Sequence, residues 1–86
     1  MKEQLQKALD CADKGNWDEA HRIVQDMQDV FAYWIHANLH REEGNQGSAR
    51  YWYGEAKKEY TEIAVKEERT LIRNAIAKGY DETSSK

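Results

Sequence analysis

Apolar and small residues recur at helical spacing along most of this chain. Leu5, Ala8, Leu9 and Ala12 form one stripe at i, i+3, i+4 and i+7, the pattern of an amphipathic helix, and predict a helix over about 3–14. Lys14-Gly15-Asn16 interrupts the stripe. Gly15 suits the left-handed conformation that closes a helix. Asn16 suits an N-cap, with Glu19 three residues on as in a capping box. A second helix over about 17–28 sets Trp17, Ala20, Val24 and Met27 inward, and Asp29 is placed to cap a third over about 31–43. That third segment is apolar nearly all round at its start, through Phe31, Tyr33, Trp34, Ile35, Ala37 and Leu39. Such a helix is covered on more than one side and is the central one. Gly44-Asn45 repeats the first turn, and a fourth helix starts near Gln46 with Ala49, Trp52, Tyr53, Ala56 and Tyr60.

From Lys57 to Lys78 no glycine or proline punctuates the chain. Ile63, Ala64, Leu71, Ile72, Ala75 and Ile76 continue an apolar stripe, and Glu62 and Lys66 form a favourable i, i+4 pair. Two arrangements fit. Helix four can run on past residue 70, in which case its far half needs a second copy to cover it. Or the chain breaks near 58–62 or 66–69, and a C-terminal helix over about 61–78 packs back as a cap. The break is the preferred reading. Residues 81–86 are polar throughout and read as a frayed tail after a single helical domain over 1–80.

One spacing organises the first two thirds. Ala8, Gly15, Asn16 and Ala20 recur 29 positions later as Ala37, Gly44, Asn45 and Ala49. The glycines and asparagines fall at turns. The alanines fall where two antiparallel helices must cross closely, which small side chains permit. The fold class is therefore all-α: two helical hairpins, one over about 2–29 and one over about 31–60, plus the C-terminal segment.

Composition narrows the function classes. At 86 residues the chain is one domain or part of one, with a thin core. Its net charge of -3 comes from 16 acidic and 13 basic residues spread along the sequence. No basic stripe is present, so nucleic acid is not an expected partner. No apolar stretch is long enough to span a membrane, and the first residues lack the apolar run of a signal peptide. Cys11 is the one cysteine, which excludes an internal disulfide and fits a reducing cytoplasm. It reads as a small core side chain.

Helix, Gly-Asn turn and helix, with alanines at the crossings, resembles the tetratricopeptide repeat over about residues 2–60. Ala8, Gly15, Trp17, Ala20, Val24 and Met27 match or approximate that family's preferred positions, as do Ala37, Gly44, Ala49, Tyr53 and Ala56. The period is 29 rather than about 34, Gln46 replaces an aromatic, and the terminal proline is missing. The resemblance implies a groove lined by the first helix of each pair, here Leu5, Leu9, Trp34, Asn38 and Arg41. The carboxylate clamp of chaperone-binding relatives is absent, because Leu5 and Leu9 stand at the matching positions. A second, narrower resemblance is to a family of small uncharacterised proteins. It rests on Trp34-Ile35-His36-Ala37-Asn38-Leu39-His40-Arg41-Glu42-Glu43-Gly44-Asn45 and Ser48-Ala49-Arg50-Tyr51-Trp52-Tyr53, and implies no activity.

Candidate chemistry is sparse. His36 and His40 stand at i, i+4 on one helix face, a spacing that can bind zinc or nickel if other helices add ligands. His21 and Glu43 are conceivable additions. The competing reading makes both partly buried, hydrogen-bonded imidazoles between the paired helices. Arg41 either sits at a solvated helix end or joins Arg50 in contacting an anion at the second Gly-Asn turn, where helix-start amides add donors. Tyr51, Trp52 and Tyr53 are consecutive and cannot share one buried face. Either a further layer covers the surplus, or Tyr51 and Trp52 join Trp34, Asn38 and Arg41 in an interaction groove. No nucleophile–base pattern occurs, and no cofactor is implied. The expected role is a non-enzymatic protein-interaction module that holds a partner protein or a second copy of itself. The alternative is a small-ligand or metal-binding protein built on His36, His40 and Arg41.

Overall fold

The computed structural model describes residues 2–85, with side chains through Gly79. All regular structure among them is helical: α1 (Lys2–Asp13), α2 (Trp17–Gln25), α3 (Val30–Glu42), α4 (Gln46–Glu55) and α5 (Val65–Ser85). No strand occurs among the described residues, in agreement with the all-α expectation. α1 packs on α2, α2 on α3 and α3 on α4, while α5 returns to lie against α3 and α1.

Three of the connections end a helix in the same way. After α1, the amides of Gly15 and Asn16 bond to the carbonyls of Ala12 and Cys11. After α3, those of Gly44 and Asn45 bond to Arg41 and His40. After α4, those of Lys57 and Lys58 bond to Gly54 and Tyr53. Each is the paired reverse bonding of a Schellman stop, whose middle residue must take positive φ. Gly15 (φ 82) and Gly44 (φ 87) do so without a Cβ penalty, whereas Lys57 (φ 60) is a non-glycine residue in that region. Asn16 then accepts a bond from the Glu19 amide and Asn45 one from the Ser48 amide, capping α2 and α4 as expected. Asp29 caps α3 through the Phe31 and Ala32 amides.

The four crossing alanines, Ala8, Ala20, Ala37 and Ala49, have no exposed surface. Around the first pair lie Leu5, Leu9, Ala12, Val24, Ala32, Ile35, Leu39, Ile72 and Ile76, flanked by Trp17, Phe31 and Trp34. Cys11 is partly buried at the edge of this core. A smaller core joins Ala37, Ala49 and Tyr53 to Trp34, Trp52 and Tyr60.

The C-terminal boundaries differ from the expected ones. The chain leaves α4 at Ala56, crosses without helix to Ala64, and resumes at Val65. α5 then continues to Ser85, through most of the stretch read as a frayed tail. No glycine or proline follows Gly79 to stop it, and Lys86 lies outside the described residues. Gly79 is small for a packing reason. A Cβ there would stand 3.1 Å from the Phe31 ring, so the absent side chain lets α5 approach the start of α3.

Candidate functional site

Two polar clusters meet in the interior, on opposite sides of α3. The first collects the three histidines. His36 and His40 are one turn apart on α3 and come together with His21 of α2; one ligating atom from each lies within 4.8 Å of the others. The rings interlock. His36 stacks on His40 at 4.9 Å between centroids and meets His21 edge-on at 4.6 Å. Trp17 stacks on His21 at 4.8 Å, and Trp52 of α4 covers His36 at 4.0 Å. The indoles close the cluster from both ends. Trp17 is itself fixed by donating Nε1–H to the Leu39 carbonyl at 2.7 Å.

The two α3 imidazoles have different hydrogen bonding. His40 Nδ1 lies 2.6 Å from a Glu43 carboxylate oxygen. A carboxylate only accepts, so Nδ1 carries the proton. His36 is 4% exposed, and its Nδ1 is buried with no hydrogen-bond partner. A buried polar atom left this way costs about 1–3 kcal/mol. Burial first, and then His21 and His40 beside it, push the His36 pKa down to about 3. Burial and then His40 also lower that of His21. Both are therefore neutral imidazoles at pH 7, the form that ligates metal ions.

The second cluster was only half legible in the sequence. Trp34, Asn38 and Arg41, placed together on one face of α3 by their spacing, converge on Glu68 of α5. Its carboxylate accepts from Trp34 Nε1 (2.9 Å), Asn38 Nδ2 (2.8 Å), Arg41 Nη2 (2.9 Å) and the Tyr53 hydroxyl (2.6 Å to one oxygen, 2.8 Å to the other). Burial works to raise the Glu68 pKa, but these donors outweigh it and hold the carboxyl below its ordinary value. Burial beside that carboxylate raises the Tyr53 pKa, so the phenol keeps its proton and donates. The next residue, Arg69, is 1% exposed and reaches Asn38 Oδ1 (3.0 Å), Asp13 (2.7 Å) and Glu42 (3.1 Å). Arg73 extends the network to Asp10 and Asp13, at 2.7 and 2.8 Å.

Four of the five residues expected to line one groove thus divide between two places. Trp34, Asn38 and Arg41 hold α5, while Trp52 packs on His36 and on Tyr33 (5.6 Å). The fifth, Tyr51, is 60% exposed and meets Trp52 edge-on. Arg41 sits with Glu68 and not with the histidines, so the grouping of His36, His40 and Arg41 in one ligand site separates into two. Arg50 lies over the Tyr60 ring at 4.2 Å. Sequence reasoning missed Glu68, Arg69 and the Tyr53 hydroxyl. The available signal was a gap: Val65, Ile72 and Ile76 share a helical stripe whose intermediate positions, 68 and 69, are charged.

No helix among the described residues is long and apolar enough to cross a membrane. No family model matches the chain, and no curated protein or solved structure is significantly similar to it.

Proposed function

We propose that this protein is a non-enzymatic binder of a divalent transition-metal ion, held by His21, His36 and His40. The observation that carries this is the convergence of three imidazoles from two helices, one of them with an orphaned buried nitrogen. An all-imidazole donor set without thiolate suits zinc, nickel or copper(II). Nitrogens around tetrahedral zinc lie about 3.3 Å apart, given bonds of about 2.0–2.1 Å, so loading draws the widest pair together by about 1.5 Å. Glu43 orients His40 from behind, the usual arrangement for a ligating imidazole. Three protein ligands leave a fourth position open to water or a small anion. The scaffold for this site is read as two tetratricopeptide-like hairpins, α1–α2 and α3–α4. The repeated Gly-Asn turns and fully buried crossing alanines support that reading. A partner protein would reach Trp34, Asn38 and Arg41 only after α5 had left them.

The test is thermal unfolding of the metal-free protein with and without Zn²⁺, Ni²⁺ or Cu²⁺. The expected result is a rise in Tm that grows with metal concentration. It should vanish in His36→Leu and His40→Leu while the metal-free folds remain intact. No shift with any of the three ions, or an equal shift in His36→Leu, overturns the proposal.

A further inference from the structure

The three helix stops are not equivalent, and the difference points to a second copy of this chain. The stops after α1 and α3 are written into the sequence twice over, by a glycine at positive φ and by an asparagine that caps the next helix. The stop after α4 has neither signal. Lys57 takes φ 60 with a full side chain. α5 starts after Ala64, whose carbonyl accepts the first helical bond from Glu68 but whose methyl group cannot cap. Between them runs Lys57-Lys58-Glu59-Tyr60-Thr61-Glu62-Ile63-Ala64, with no glycine or proline. Every residue of that segment can be helical, and Glu62 and Lys66 would then pair across one turn.

Besides the reverse bonds of the Lys57 and Lys58 amides and a local bond from the Ile63 amide to the Thr61 hydroxyl at 3.3 Å, the bend is held from outside the segment. Lys58 lies over the Trp34 ring at 4.3 Å, Tyr60 meets Tyr53 edge-on at 5.6 Å, and Glu68 seats α5 on its four donors. α5 supplies the one carboxylate on which Trp34, Asn38, Arg41 and Tyr53 converge, so the site around α3 is incomplete without it. Nothing in that interface requires the carboxylate to come from the same chain. Straightening residues 56–64 relieves the positive φ at Lys57 and joins α4 to α5 in one helix about 60 Å long, at 1.5 Å per residue. The same straightening carries Glu68 and Arg69 out of their own groove.

We infer that this protein forms a homodimer by exchanging α5, each copy's Glu68 seated on the partner's Trp34, Asn38, Arg41 and Tyr53. Exchange re-forms every α5 contact of the closed monomer and changes only the hinge, the usual condition for swapping. The inference is independent of metal binding, because the histidines lie on the α2 side of α3 and contribute nothing to the α5 interface.

Sedimentation velocity on the intact chain, from micromolar to about millimolar concentration, tests this with Lys57→Ala and Lys57→Gly. Alanine keeps the penalty of the bend and favours the straight helix slightly over lysine at each of the two hinges, so the dimer association constant is expected to rise about twofold. Glycine removes the penalty of the bend and weakens the straight helix at both hinges, and is expected to lower it by more than about tenfold. A second measurement identifies the exchanged element. In a Cys11→Ser background, Asp13→Cys and Arg73→Cys place thiols on α1 and α5, whose native side chains meet at 2.8 Å. A short bismaleimide applied to the dimer fraction should join two chains into one band on a denaturing gel. A strict monomer for all three proteins, or a dimer fraction in which the reagent bridges only within chains, overturns the inference.

Discussion

Asn38 and Glu68 share a 2.8 Å hydrogen bond in the interior, and the same asparagine accepts at 3.0 Å from Arg69. One amide thus stands between an anion and a cation that are adjacent in sequence, donating to the first and accepting from the second. Its remaining N–H reaches the Val65 carbonyl at 3.1 Å, so the amide orientation is fixed by all three contacts. Asn38→Leu removes a donor from a buried carboxylate and an acceptor from a buried guanidinium at once. It should cost about 2–4 kcal/mol, the scale of breaking into a buried ionic network. Asn38→Asp sets a second negative charge beside Glu68 and should cost more. Urea denaturation of the three proteins checks the order.

The Tyr53 hydroxyl offers a cleaner subtraction. Its bonds to Glu68 are among the shortest in the network, yet Phe fills nearly the same volume. Tyr53→Phe should lose about 1.5–3 kcal/mol, the usual worth of a hydrogen bond to a charged group. The second core around Ala37 and Ala49 should remain packed. A loss of about 6–24 °C in Tm with an unchanged helical circular dichroism signal is the expected result.

Lys57→Gly should stabilise the monomer. The native φ of 60 costs a non-glycine residue about 1 kcal/mol or more, while glycine gives back part of this through its freer unfolded chain. The net gain should be about 0.5–1 kcal/mol, read as a rise of several degrees in Tm at dilute protein. Gly44→Ala, at φ 87, should move stability the opposite way.

Acid should weaken the metal-free fold in two stages. Burial, with His21 and His40 beside it, holds His36 at about 3, against about 6.5 in an unfolded chain. As pH falls below 6.5 the unfolded state takes up a proton that the folded state refuses. Stability is therefore full above 6.5 and declines toward 3, at up to about 1.4 kcal/mol per pH unit per proton. The lowered pKa of Glu68 adds a second loss, which begins near the ordinary glutamate value of 4.5 and deepens as pH passes the folded value. Denaturation at a series of pH values should show the first slope weaken in His36→Leu, where the lowered pKa of His21 still contributes, and the second persist.

Fluorescence should report the histidine cluster directly. Trp17 and Trp52 lie against its rings, whereas Trp34 contacts Glu68. Copper(II) or nickel should quench emission in Trp34→Phe as strongly as in the native chain, and less in Trp17→Phe and Trp52→Phe. Equal quenching in all three would separate the metal from this cluster.

The local code reaches as far as Ala56. Gly15, Asn16, Asp29, Gly44 and Asn45 act on their own neighbours, through φ and through side-chain bonds within three residues. They, and the alanines spaced one helix pair apart, are readable without knowing the fold. The shared face of Trp34, Asn38 and Arg41 was readable too, because it is set by the 3.6-residue period. What seats on that face was not. Glu68 and Arg69 are charged positions in an apolar stripe, and burial becomes tolerable for them only when donors and acceptors from α1, α3 and α4 are brought within 3.1 Å. The same holds for the approach of His21 to His36 and His40. Their energies come from contacts between residues distant along the chain, and only the folded arrangement of the helices supplies them.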